Sequence, residues 1–332
     1  MRIGVVGAGS WGSALAMHFG RAGCDVTLWA REREVVEGIN RERRNPLFIP
    51  ECAFPDGVRA TVALTEAVAG AEAVVFVVPV QFARAVLHEL RGALGAGVPL
   101  VSASKGIEVA TLERVDQIVV DELGLEPGRF VALSGPSFAR EVAAGLPTAA
   151  VLAGIDEERV RVLQRGFSSP TFRFYASTDT VGVELSGALK NVIAIAAGMA
   201  FGLGLGHNAL SALLTRGLHE IARLGVALGG RPDTFRGLAG MGDLVLTCTG
   251  GLSRNRAVGE RLGRGERLAD IVAGREVAEG VPTARAAAEL ARRHGVEMPI
   301  TFAVEAILAG GLPPREAVTA LMTRELKDEA VL

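Results

Sequence analysis

Of the 35 Lys and Arg residues in this chain, only Lys105, Lys190 and Lys327 are lysines. An arginine stays protonated inside a protein, whereas a buried lysine can lose its proton and act as an acid or a base. A lysine kept in so arginine-biased a chain is therefore a candidate for proton exchange. Lys190 stands in a mostly apolar stretch, where an ammonium group needs a partner or a purpose. Lys105 follows an apolar run ending at Ala103, the position at which an open α/β sheet collects its ligands. Lys327, in the polar C-terminal segment, shows that scarcity is not decisive; the lesser alternative for Lys190 and Lys105 is a snorkelling or ion-paired side chain.

Two other groups of residues suit anions. Gly7-Ala8-Gly9-Ser10-Trp11-Gly12 sits between a strand-like run and a helix-like one. In that setting Gly7 permits a tight turn, Gly9 lets the backbone approach a pyrophosphate, and Gly12 lets helix and strand pack closely. The helix N-terminus adds N–H donors and positive potential. The acid that usually binds a ribose 2′-hydroxyl is missing after Trp29. Arg31 and Arg33 suit a 2′-phosphate and favour NADPH, while Glu32 between them keeps NADH open. Further on, Asp243 lies in a glycine-rich turn and Ser253-Arg254-Asn255 runs into a helical stretch. A guanidinium that grips two oxygens, with short polar groups beside it, suits a phosphate. Taken alone, Ser253 reads rather as a helix cap and Arg254 as a surface charge.

The elements that must position these residues change character along the chain. Ile3 to Val6, Val26 to Trp29, Ala73 to Val78, Leu100 to Ala103 and Phe130 to Leu133 are near-continuous apolar runs, the pattern of strands buried on both faces of a parallel sheet. Ser13 to Ala22 and Phe82 to Arg91 read as crossover helices. Thr148 to Leu152 and Phe172 to Tyr175 are two further strands. After Ser177 the helical period takes over, through Gly182 to Met199, Ala209 to Leu228, Ala257 to Leu262, Ala284 to His294 and Thr301 to Ala309. The expected fold is a doubly wound α/β Rossmann domain over 1–178, followed by an all-α domain over 179–332. A chain of 332 residues is long enough for two such cores.

Composition excludes some classes of function. A net charge of -2 gives no basic footprint for nucleic acid. Cys24, Cys52 and Cys248 are scattered, with neither metal spacing nor a disulfide framework, so no metal is expected and a reducing compartment is. Met1-Arg2 leads straight into an apolar run without a signal segment, which points to the cytoplasm. Asn191 to Gly206 is the most membrane-like stretch, and it is short and glycine-rich enough to read as a buried core helix rather than a span.

Six segments in order resemble the bacterial NAD(P)-dependent glycerol-3-phosphate dehydrogenases: GAGSWGSALA (7–16), SASKGIE (102–108), LSGPSFAREVAAGLPTA (133–149), ELSGALKN (184–191), AGMGDLVLTCTGGLSRNRAVG (239–259) and VAEGVPTA (277–284). The resemblance implies a site in the cleft between the two domains, with dihydroxyacetone phosphate or sn-glycerol 3-phosphate as substrate and NADP or NAD as cofactor. It implies that Ser10, Trp11, Arg31 and Ala139 contact the dinucleotide, with Val277 and Glu279 closing over its nicotinamide end. Lys105 would lie between cofactor and substrate. Gly135, Ser137, Asp243, Ser253, Arg254 and Asn255 would hold the substrate, with Arg254 also near the cofactor. Lys190 would be the proton acceptor. A homodimer is the expected assembly, and phospholipid synthesis the expected use of the product. The match is loosest at Ala30 to Arg33, which leaves cofactor preference open.

Two rivals stand beside this reading. A β-hydroxyacid dehydrogenase shares the two-domain plan, but typically places an Asn four residues after its lysine; here position 194 is Ala194 and the Asn is adjacent, Asn191. A non-enzymatic redox-sensing module would need neither a lysine at a ligand site nor a second anion site.

Overall fold

The computed structural model describes residues 1–273, 278–326 and 328–329; Val277 and Lys327 lie outside them. The chain forms two compact units, Met1–Ser104 with Val115–Thr180, and Lys105–Arg114 with Val181–Leu332. Residues 105–114, which sequence order counts within 1–178, thus pack with the second unit. Ile107 is fully buried in the helical core, and Val109 and Leu112 pack against it.

The first unit carries the strands β1 (Arg2–Val6), β2 (Asp25–Trp29), β3 (Arg44–Asn45), β4 (Ile49–Ala53), β5 (Val58–Thr61), β6 (Ala73–Phe76), β7 (Leu100–Ser102), β8 (Phe130–Ser134), β9 (Thr148–Ala153) and β10 (Phe172–Ser177). Eight of them form one sheet in the order β10-β9-β8-β7-β6-β1-β2-β5, and β3 pairs with β4 as a small antiparallel ribbon. From β5 to β8 every neighbouring pair is parallel. This is the Rossmann order, and the central strand β6 is buried along its whole length. The sheet is not parallel throughout. β9 runs antiparallel to β8, and β10 follows β9. The connection from β8 to β9 holds only the short helix Ala139–Ala143, and the chain returns beside β8 in the opposite direction. Phe172 and Phe174 of β10 point into the core while Arg173 and Tyr175 point out, as suits a sheet edge with one wet face.

The second unit is helical. Its central helix, Thr180–Gly202, is long and apolar enough to cross a membrane, but 83% of its apolar window is buried in the fold. The apolar stretch Asn191 to Gly206 is not one helix: Gly204 and Gly206, at φ 72° and 78°, turn the chain into the next helix, Gly206–Ala227. The helix Arg254–Gly263 lies directly on Thr180–Gly202. A Cβ added at Gly198 would fall 2.0 Å from the Arg256 carbonyl oxygen, and one at Gly259 would fall 1.9 Å from that of Ile195. The two backbones touch through glycines, as in small-xxx-small helix crossings.

Glu220, 1% exposed, holds a third helix in place. Its Oε1 accepts from the Ile300 N–H at 2.6 Å, and its Oε2 accepts from the Thr301 N–H and hydroxyl, both at 3.0 Å. These are N–H groups that the helix Pro299–Leu308 cannot satisfy itself. Glu220→Ala is expected to cost on the order of 3 kcal/mol, because three hydrogen bonds to the carboxylate vanish and buried donors are stranded. A thermal melt within 2 °C or so of the parent would contradict this role.

Candidate active site

In the first unit the glycine loop has the geometry its sequence demands. Gly7 has φ 115°, and a Cβ there would lie 2.7 Å from the Val77 carbonyl oxygen. A Cβ on Gly12 would lie 1.8 Å from the Gly7 carbonyl oxygen, so strand and helix meet backbone to backbone. A Cβ on Gly9 would meet nothing within 4 Å. The loop is thus closed behind Gly7 and Gly12 and open at Gly9, where the first-turn N–H groups of the helix Ser10–Arg21 emerge. That is a cradle for an anion. The Trp11 indole N–H beside it is buried without a hydrogen-bond partner among the described residues.

The cradle is braced by Asn45, a residue the sequence reading missed. Its amide donates to the Ala8 carbonyl at 2.8 Å and to Ser13 Oγ at 2.9 Å, and its Oδ1 accepts from the Leu47 and Phe48 N–H groups. The Ser10 hydroxyl donates to the Phe48 carbonyl at 2.9 Å. The β3–β4 ribbon and its turn therefore fix the Ala8 carbonyl and the Ser10 hydroxyl beside the open position at Gly9. The one sequence signal was the turn dipeptide Asn45-Pro46. Arg31 is exposed and paired with its neighbour, Nη2 to Glu32 Oε1 at 2.9 Å. Gly135 is buried at the end of β8, Ser137 Oγ donates to its carbonyl at 2.9 Å, and Ala139 opens the next short helix.

In the second unit three charged groups meet. Lys190, near the middle of Thr180–Gly202, donates to Asp243 Oδ1 at 2.5 Å and to Thr247 Oγ1 at 2.7 Å. Lys105 donates to the other carboxylate oxygen, Oδ2, at 2.6 Å. Asp243 is 1% exposed and begins the helix Asp243–Thr249, just after a π-helical turn over Leu238–Gly242. Thr247, one helical turn on, donates to Asp243 Oδ1 at 3.3 Å. It too was missed, although the Asp243-x-x-x-Thr247 spacing puts both on one helix face. Burial pulls the Lys190 ammonium down to about 8; Asp243 opposes this and Lys105 adds to it. Burial pushes the Asp243 carboxyl up, but Lys105 and Lys190 outweigh it and hold it below the ordinary carboxylate value. One carboxylate thus serves two ammonium groups, and Lys190 is held near the pH at which it can either give or take a proton.

The Ser253 hydroxyl accepts from the Arg256 N–H and caps the helix Arg254–Gly263. Arg254, the first residue of that helix, is exposed. Asn255 is buried with both amide atoms engaged: Nδ2 donates to Asn191 Oδ1 at 2.9 Å, and Oδ1 accepts from the Gly280 N–H at 2.9 Å. Asn255 therefore ties together the residue next to Lys190 and the start of the helix Gly280–Arg293. Glu279 precedes that helix, and its carbonyl accepts from Thr283 Oγ1 at 2.7 Å.

A Rossmann sheet with an open glycine cradle, and a buried lysine poised for proton exchange, define a nicotinamide-dependent oxidoreductase. Residues 2–160 match the family model for the N-terminus of NAD-dependent glycerol-3-phosphate dehydrogenase, and residues 179–319 match the model for its C-terminus. The chain is 55% identical over 330 residues to a glycerol-3-phosphate dehydrogenase [NAD(P)+] of Geobacter sulfurreducens, covering 99% of this chain and 98% of that one. It is 55% identical over 331 residues to the enzyme of the same name from Nitratidesulfovibrio vulgaris, covering 99% and 100%. Its fold is similar to the crystal structure of glycerol-3-phosphate dehydrogenase from Coxiella burnetii, with a TM-score of 0.92, 39% identity, and 97% and 99% of the two chains covered. The chain belongs to the NAD-dependent glycerol-3-phosphate dehydrogenase family.

Arg31 decides how the cofactor is told apart if it meets a 2′-phosphate. Arg31→Ala is then expected to raise KM for NADPH by roughly ten- to a hundred-fold and leave KM for NADH nearly unchanged, the loss of one charge-assisted contact. Equal effects on the two cofactors would remove Arg31 from that role.

Proposed function

We propose that this chain reduces dihydroxyacetone phosphate to sn-glycerol 3-phosphate with NADPH or NADH, reversibly, and that Lys190 exchanges the proton. The observation that carries the reading is the buried pair Lys190–Asp243 with Lys105 on the far carboxylate oxygen. The bound nicotinamide supplies or accepts the hydride. Gly7, Gly9, Ser10, Trp11 and Gly12 hold the dinucleotide, with Ala139 and Arg31 beside it and Glu279 at the nicotinamide end. Lys190 as ammonium polarises the substrate carbonyl and donates its proton to the oxygen; in the reverse direction the neutral amine takes that proton back. Lys105 orients the same oxygen. Asp243 fixes both lysines. Arg254 anchors the phosphate, with Ser253 and Asn255 shaping the start of its helix and Gly135 and Ser137 completing the substrate contacts. A phosphate gripped away from the reacting carbon turns binding energy into orientation. With a small-molecule substrate, we further propose the cytoplasm as its location, a homodimer as its assembly and phospholipid synthesis as the use of its product, a reading that the family likeness supports.

The deciding experiment is a spectrophotometric assay of NADPH and NADH oxidation with dihydroxyacetone phosphate and with dihydroxyacetone. The phosphate ester is expected to turn over and the free ketone hardly at all. Arg254→Ala should raise KM for dihydroxyacetone phosphate, and Arg254→Lys should recover only part of it, because the two-pronged grip is gone. Equal turnover of the two ketones would reject the anion site. Failure of both ketones would reject the activity.

A further inference from the structure

The loop Lys105–Arg114 is held at several points besides the Lys105–Asp243 pair. Ile107 is buried in the helical core. The loop also closes on itself. The Glu108 N–H donates to the Glu113 carbonyl and the Leu112 N–H to the Glu108 carbonyl, both at 2.9 Å. Thr111 Oγ1 donates to the Glu108 carboxylate at 2.6 Å. Leu112 has φ 67°, a left-handed conformation that leucine holds only under constraint. At the far end, Arg114 Nε lies 3.5 Å from Glu184 Oε2, with side chains only 14% and 7% exposed. Glu184 stands on Thr180–Gly202, the helix that bears Lys190.

We infer that the Arg114–Glu184 ion pair is a positioning device: it clamps the loop to the Lys190 helix and so sets the Lys105 ammonium on Asp243. The inference rests on the reading of Lys105 and Lys190 given above. A buried ion pair suits the task, because pulling its two charges apart at low dielectric is costly and so resists sliding of the loop along the helix. The charged and titratable neighbours of Lys190 are Asp243 and Cys248, from Asp243–Thr249, and Lys105, from the loop. Withdrawing Lys105 removes a repulsion and leaves Asp243 in place, so Lys190 holds its proton more tightly.

The test is oxidation of sn-glycerol 3-phosphate by the full chain across pH, in which neutral Lys190 is required and the acid limb reports its deprotonation. Four variants are compared: Glu184→Gln, Arg114→Lys, Lys105→Met and the double variant Glu184→Gln/Lys105→Met. Glu184→Gln is expected to lower kcat by about tenfold or more and to move the acid limb to higher pH, as Lys105→Met does. In the Lys105→Met background it should add no more than about twofold, the mark of residues acting through one another. Arg114→Lys should keep most of the activity. If Glu184→Gln does not fold, Arg114→Gln set against Arg114→Lys gives the same comparison. An equal loss in both backgrounds with an unmoved limb would overturn the proposal, as would a Glu184→Gln enzyme with parental kcat. Full activity in Lys105→Met alone would overturn instead the reading on which the proposal rests.

Discussion

Lys190→Arg is expected to lose on the order of 10²–10⁴ in kcat in both directions, the usual worth of a positioned acid or base. The substitution keeps the positive charge beside Asp243, so an electrostatic anchor would survive it. It does not keep a proton that can be given up, because guanidinium stays protonated at any workable pH. Lys190→Ala should lose a similar factor, and the agreement between the two would locate the loss in proton exchange. Binding of the reduced dinucleotide, followed by quenching of its fluorescence, should persist in both, since the glycine cradle belongs to the first unit. A Lys190→Arg enzyme with near-parental kcat and an unchanged pH profile would move the proton to Lys105.

Asp243→Asn should act with the opposite sign to removal of Lys105. The carboxylate is what keeps buried Lys190 as high as about 8. Without it the folded-state value falls further. Reduction requires the ammonium, so the alkaline limb of kcat for dihydroxyacetone phosphate should move to lower pH. Two ammonium groups left facing each other in a buried site should also cost on the order of 3–5 kcal/mol of stability. Part of that cost is pH-dependent. Between the lowered folded value and the ordinary lysine value of 10.5, the unfolded chain binds more protons than the folded one. Stability of the variant should therefore recover as pH rises through that window. Chemical unfolding at pH 7 and pH 9.5 checks the sign. A variant more stable at pH 7 than at 9.5 would contradict the account.

The central strands were legible because burial on both faces leaves little choice of residue: β1, β2, β6, β7 and β8 are near-continuous apolar runs. β5 was not, because Arg59 interrupts a four-residue strand whose apolar length is too short to register. The reversal at β9 was hidden for a different reason: an apolar run does not encode strand direction. In the site, Lys105, Lys190 and Asp243 stood out by residue type, and they meet. Thr247 and Asn45 did not stand out, since hydroxyls and amides are common and their roles depend on what the fold brings beside them. The Lys105 loop could not be assigned to the helical unit from chain order, because its attachments, buried Ile107 and the ion pairs Lys105–Asp243 and Arg114–Glu184 among them, join residues distant in sequence.

The contact between the helices Thr180–Gly202 and Arg254–Gly263 has a consequence for substrate choice. Carbonyl oxygens of each helix lie where the missing methyl groups of the other would be, at Gly198 and Gly259. No side chain lies between the backbones there to yield, so the spacing is set by the main chain itself. One helix carries Lys190 and the other begins at Arg254. If the first handles the ketone oxygen and the second the phosphate, the pair is a caliper of fixed opening. Such a tool measures the number of bonds between the two ends of its substrate. Widening it for a longer phosphorylated ketone would require altering the glycines of the hinge-free seam, not the residues at the jaws.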